Sequence, residues 1–253
     1  MNLACFKFLK KIILYILLVL ICFYLISFIT LFSGTKKRDF CFREISYGIL
    51  SDKLTTGCRD DSARIIQIYM FVIENISAPP QNFKLRDGNP FDIIIDGVGY
   101  CDQQVNVLIT LAGISGIKGN LLFLYGYDSV SHHSVCELQL NDKYRMLDPF
   151  YNQLFLTTNN NLASVNDIQN GNIKYPKDSS SMPNRYFRLF EKKYPIKIFM
   201  INKISFPKKV VRKIINIWCS IFGDILLKPY MYSYFICDNS NEIKKNRIKK
   251  MLY

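Results

Sequence analysis

The chain has 253 residues, 49% of them hydrophobic, and its 33 Lys and Arg against 20 Asp and Glu give a formal charge of +13. That length supports one substantial core and leaves no room for a second domain of comparable size. The charge is lopsided: residues 191–253 carry 14 Lys and Arg against 4 Asp and Glu, ten of the thirteen excess charges. No zinc-finger, RNP or basic-zipper signature accompanies it, so nucleic acid is not an expected partner, and the basic end points instead to a solvated face or to anionic lipid.

Eight cysteines, at 5, 22, 41, 58, 101, 136, 219 and 237, form no CxxC pair and no tight regular spacing. This excludes a disulfide scaffold and a structural zinc site of the usual spacing. A bridge between Cys41 and Cys58 stays open.

Taken in order, residues 12–33 contain no formal charge and are rich in Ile, Leu, Phe and Tyr. At about 1.5 Å per residue they reach roughly 33 Å as a helix, enough to cross a bilayer and longer than a usual signal core. The expectation is an N-terminal membrane anchor over residues 1–34 and a single-pass membrane localisation. Lys7, Lys10 and Lys11 before it nearly balance Lys36, Lys37 and Arg38 after it, so orientation only leans towards an extracytoplasmic domain.

Residues 35–59 read as a connector. Asp60, Asp61 and Ser62 then offer helix-capping oxygens, and Ile65, Ile68, Tyr69, Val72 and Ile76 recur at spacings of three and four, predicting a helix with one core-facing stripe. Pro79 and Pro80 end it. A polar loop leads to a short apolar run over 91–95, and then to Gly97-Val98-Gly99-Tyr100-Cys101-Asp102-Gln103.

From Cys101 onward Val105, Leu108, Ile109 and Ala112 keep helical spacing, so this helix starts at or just before the cysteine and stops near Gly113 or Gly116. Three strands follow, over 121–125, 133–140 and 143–148, the last two closing a hairpin around Asn141 and Asp142. Residues 157–161 and 177–183 are polar and turn-prone. A final helix is expected over 208–227, with a broad apolar stripe that packs on the domain or lies on anionic lipid, and residues 208–250 are the candidate lipid contact.

A thiol at a helix N-terminus sits where unpaired backbone N–H groups and the helix dipole favour its anion. It still needs a base, and the chain has two histidines, His132 and His133. If Leu140 and Lys143 are the last paired residues of the hairpin, Asp148 opposes Val135 and lies on the sheet face of His133, while His132 points the other way. Cys101, His133 and Asp148 then supply nucleophile, base and orienter, the order that acyl-transfer sites use. Zinc held by Cys101, His132, His133 and Cys136 fits poorly, because adjacent strand residues face opposite ways. No cofactor motif is present.

These residues resemble the transglutaminase-like superfamily of papain-like cysteine enzymes. The resemblance lies in Gly99-Tyr100-Cys101-Asp102 opening a helix, then His133-Ser134-Val135-Cys136-Glu137, then Met146-Leu147-Asp148-Pro149, and covers residues 60–155. It implies an α+β core with the cysteine-bearing helix packed on an antiparallel sheet. It also implies Cys101 as nucleophile, His133 as general base and acid, and Asp148 as orienter. The chain departs from the family at Val135, where Trp is frequent, and at Phe150, where a small hydroxyl residue is usual; both bear on cleft shape.

The organisation expected is therefore an anchor over 1–34, a connector over 35–59, a transglutaminase-like core over 60–155 and a basic extension over 156–253. The expected function is a membrane-anchored cysteine acyl-transfer enzyme, a peptidase, amidase or transglutaminase, acting on a peptide or other amide. The alternative is a catalytically idle binding or assembly module of the same fold at the membrane.

Overall fold

A computed structural model describes residues 13–15, 17–18, 21–22, 35–81, 88–174, 183 and 185–199. The helix expected over 208–227, the lipid contact over 208–250 and most of the polar stretch over 177–183 lie outside the described residues. Contacts divide the chain into two compact units, residues 1–45 and 46–253. The sheet and the residues of the site belong to the second.

Helix α1 (Thr35–Thr55) occupies most of the expected connector. It lacks the clean apolar periodicity that marks a helix in sequence, which is why it reads as connector. Helix α2 (Asp61–Asn75) starts where Asp60 accepts a hydrogen bond from Ala63 N at 2.8 Å, and buries Ile65, Ile68, Tyr69 and Val72. The apolar run at 91–95 is a short helix, α3 (Pro90–Asp96), with Asn89 as its cap and Pro90 in its first turn, where a missing N–H costs nothing. Helix α4 (Cys101–Ile114) begins on the cysteine.

Strands β1 (Gly119–Tyr125), β2 (Ser131–Leu140) and β3 (Lys143–Asp148) follow, then β4 (Gln153–Leu154), β5 (Leu156–Thr157), helix α5 (Val165–Gln169), β6 (Ile173–Lys174), a 3-10 helix (Tyr186–Phe190) and β7 (Ile196–Phe199). Five strands make one sheet in the order β4-β3-β2-β1-β7, antiparallel throughout, and β5 pairs with β6 separately. The β2–β3 hairpin pairs Leu140 with Lys143 and Cys136 with Leu147. Its two turn residues, Asn141 and Asp142, both have positive φ, 50° and 59°, the conformation a tight hairpin turn needs.

The sheet is covered on both faces. On one, Gly119 lets α4 approach: a Cβ there would lie 3.2 Å from Ile109 and 2.5 Å from Leu138. On the other, Leu122, Leu124, Val135 and Met146 pack against Phe155, Ala163, Tyr186 and Phe190. Each large apolar side chain so buried contributes about 1.5–3 kcal/mol.

The fold is α+β with the cysteine-bearing helix on an antiparallel sheet, but the membrane helix expected to precede it is not supported. Among the described residues no helix is long and apolar enough to cross a bilayer. Helix α1 carries Lys36, Lys37, Arg38, Asp39, Arg43, Glu44, Asp52 and Lys53, and charges of that number are too costly in hydrocarbon. Helices α2 and α4, at 15 and 14 residues, are shorter than a bilayer core of about 30 Å requires. The single-pass membrane localisation falls with the helix. Of residues 12–33, only 13–15, 17–18 and 21–22 are described, as helical.

Candidate active site

The approach to Cys101 is held by backbone. Gly97 closes α3 in the left-handed conformation, φ 67°, which a glycine adopts without strain. Ser77 N donates to Gly97 O at 3.0 Å and Gly99 N donates to Ser77 O at 3.0 Å, so the segment after α2 clamps this loop from one side. A Cβ on Gly99 would lie 2.9 Å from Ile93 Cγ2, so side-chain bulk is excluded there. Tyr100 N donates to Gln103 Oε1 at 2.9 Å, and the buried Gln104 amide donates to Gly99 O at 3.0 Å. The loop is pinned at both ends, and Cys101 emerges partly exposed on the first residue of α4.

His133 and Asp148 meet as the hairpin register requires. His133 Nε2 lies 2.6 Å from Asp148 Oδ2, with both side chains buried. His132 is exposed and turned to Asp128, 2.8 Å from its Oδ1. The imidazole of His133 is walled by aromatic rings, with centroids of Tyr151 at 4.8 Å, Tyr186 at 5.6 Å and Phe150 at 6.0 Å. Burial by itself would lower the pKa of His133. The charge and hydrogen bond of Asp148 outweigh it, with a further hydrogen bond and charge from Cys101, and lift the pKa to about 9.

Asp148 is fully buried and both of its carboxylate oxygens are hydrogen-bonded. Oδ1 accepts from the backbone N–H of Phe150 at 3.1 Å and of Tyr151 at 3.2 Å, the self-capping turn that Asp before Pro favours. Oδ2 accepts from Tyr186 Oη at 2.6 Å as well as facing His133. The backbone carbonyl of Asp148 takes a hydrogen bond from the buried Tyr69 of α2 at 3.3 Å.

Thus the three residues singled out in sequence converge, Cys101 beside His133 and His133 on Asp148. Sequence reasoning missed Tyr186, Tyr151 and the second role of Tyr69. Tyr69 was visible only as one position of an apolar stripe. Tyr186 follows a turn-prone stretch, and the only signal near it is the apolar spacing of Tyr186 and Phe190, which marks burial rather than a hydrogen bond to an aspartate 38 residues upstream.

Cys58 and Cys136 are free thiols, so no bridge forms at Cys58. Cys136 is wholly buried, and burial, then the Asp148 charge, push its thiol pKa well up. Among the described residues no group of three or more His, Cys, Asp or Glu side chains is arranged to hold a metal. A polar cleft of about 750 Å³ is lined by Glu137, Arg145, Asn161, Asp167 and Asn172 among others, and none of Cys101, His133 and Asp148 lines it.

No family model matches the chain, and no curated protein does. Among solved structures, a crystal structure of a "putative protease" from Parabacteroides distasonis is similar at 15% identity, covering 40% of this chain with a TM-score of 0.34. The chain spans 22% of that protein's length. A likeness this distant carries no argument about activity.

Proposed function

We propose that this chain is a cysteine acyl-transfer enzyme acting on amide bonds, with Cys101 as nucleophile, His133 as general base and then acid, and Asp148 as the group that orients the imidazole. The observation that carries this reading is the buried 2.6 Å pair of His133 and Asp148 with Cys101, on the first residue of a helix, against the same ring. The transglutaminase-like resemblance of the three short motifs points the same way. So does the ring's orientation: with Nε2 committed to Asp148, Nδ1 is the nitrogen available to the thiol.

In this mechanism the thiol proton passes to His133 Nδ1, and Asp148 stabilises the imidazolium so formed. The Cys101 thiolate attacks the carbonyl carbon, forming a C–S bond while the C=O electron pair moves onto oxygen. The donors proposed for that oxyanion are the backbone N–H groups of Cys101 and Asp102 at the start of α4, since those of Gln103 and Gln104 donate to Tyr100 O. As the C=O reforms, the C–N bond breaks and the leaving amine takes the proton from His133, giving a thioester. Water or an amine then attacks the thioester, His133 accepts its proton, and Cys101 leaves as thiolate, restoring the starting pair.

Intact mass after exposure to p-nitrophenyl acetate tests the assignment. Wild type is expected to carry one acetyl group, Cys101→Ala none, and His133→Ala to acylate about 100-fold more slowly. Equal acylation of all three folded proteins would overturn the site.

A further inference from the structure

Building on the cysteine acyl-transfer reading, we propose that Tyr186 is a positioning residue: its phenol shares the carboxylate oxygen used by His133 and so sets both where that carboxylate points and how strongly it holds the imidazolium. Asp148 has no exposure to solvent, and its Oδ1 is committed to two backbone donors. Oδ2 is left with two partners at the same distance, 2.6 Å: Tyr186 Oη and His133 Nε2.

Charge on that oxygen is divided between them. A charge-assisted hydrogen bond from the phenol withdraws density that would otherwise act on the imidazolium. The phenol is a fixed donor, because burial first, then the Asp148 charge and hydrogen bond, push its pKa well above the ordinary value. Water cannot stand in for it without a cavity, since the ring is 1% exposed and packs on Phe155 at 5.9 Å and Phe190 at 5.5 Å.

The titratable groups acting on the pair come from several elements. Cys101 of α4, Tyr151 and Tyr186 face His133, and Tyr69 of α2, Cys136 of β2 and Tyr151 also feel the Asp148 charge. Among the described residues the phenol of Tyr186 alone shares Oδ2 with the imidazole, and its removal changes the field on His133 without deleting a member of the triad.

Tyr186→Phe keeps the ring and removes one oxygen. The His133 titration is followed by NMR, its resonance distinguished from that of His132 with a His132→Gln variant, and acylation by p-nitrophenyl acetate is measured against ester concentration. The midpoint of His133 is expected to rise by about one unit, because the carboxylate then acts on the imidazolium alone. The limiting acylation rate is expected to fall about tenfold while the half-saturating ester concentration changes less than about twofold.

A purely structural tyrosine would lower the melting temperature and leave the midpoint in place. An unchanged or lowered midpoint in folded Tyr186→Phe therefore overturns the proposal. Should that variant not fold, 3-fluorotyrosine incorporated at position 186 is a stronger donor and is expected to lower the midpoint; no movement overturns the proposal equally. Failure of wild type to acylate would overturn the enzyme reading itself, which the NMR midpoint does not depend on.

Discussion

His133 is a buried imidazole whose pKa is raised, so it links folding to pH in a defined direction. In the unfolded chain it titrates near 6.5, in the folded protein near 9. Its stabilising contribution is fully present below 6.5, where both states hold the proton, and declines as pH rises through 9, where the native state must release a proton it binds more tightly than the unfolded chain does. The contribution is on the order of 3 kcal/mol. Chemical denaturation from pH 6 to 10 is expected to show stability falling across that window, with a flatter profile for His133→Gln. A profile no flatter in the variant would mean that another group carries the effect.

Asp148 is the complementary residue. Asp148→Ala strands three donors and a buried imidazole, and is expected to cost about 3–5 kcal/mol. Without the carboxylate, burial dominates the His133 environment, so NMR should place its midpoint below 6.5. A midpoint still near 9 would show that Asp148 is not what holds the proton.

At the scale of elements, the nucleophile depends on a loop that tolerates no bulk. Gly99→Ala drives a methyl to 2.9 Å from the branched Cγ2 of Ile93, which is itself 1% exposed and has little room to yield. The expected cost is about 1–3 kcal/mol by denaturant unfolding, with acylation of Cys101 reduced because the start of α4 shifts. The hairpin makes the opposite prediction. Asp142 holds φ 59°, a conformation glycine adopts at no steric cost, so Asp142→Gly should raise stability by about 0.5 kcal/mol. Destabilisation instead would mean that the weak 3.4 Å contact from Gln139 to Asp142 matters more than the backbone.

For the molecule as a whole, the site depends on chain that follows the three motifs. The 3-10 helix Tyr186–Phe190 brings Tyr186 to Asp148 and seals the sheet face that carries His133, and β7 pairs with β1. Phe190 is 1% exposed in that layer. Phe190→Ala is expected to cost about 3–5 kcal/mol in denaturant unfolding and to slow acylation. If it lowers stability while leaving acylation and the His133 midpoint untouched, the layer is a cover and not a support for the site.

Much of this was legible from local pattern. The start of α4 on Cys101, the two-residue turn at Asn141 and Asp142, and the consequence that His133 rather than His132 lies with Asp148 all follow from periodicity and from the alternation of side chains along a strand, which depend on nothing beyond the segment itself. Helix α1 was not legible, because its stability comes from burial of residues such as Tyr47 and Leu50 and not from a regular stripe. The membrane helix was read from apolar content over 12–33, and none of the described helices is long and apolar enough to fill that role. Tyr186 and Tyr69 came from tertiary structure alone. Their hydrogen bonds to Asp148 span 38 and 79 residues, and no short-range regularity encodes a contact that exists only once the sheet and its covering layer have closed around a carboxylate with no solvent exposure.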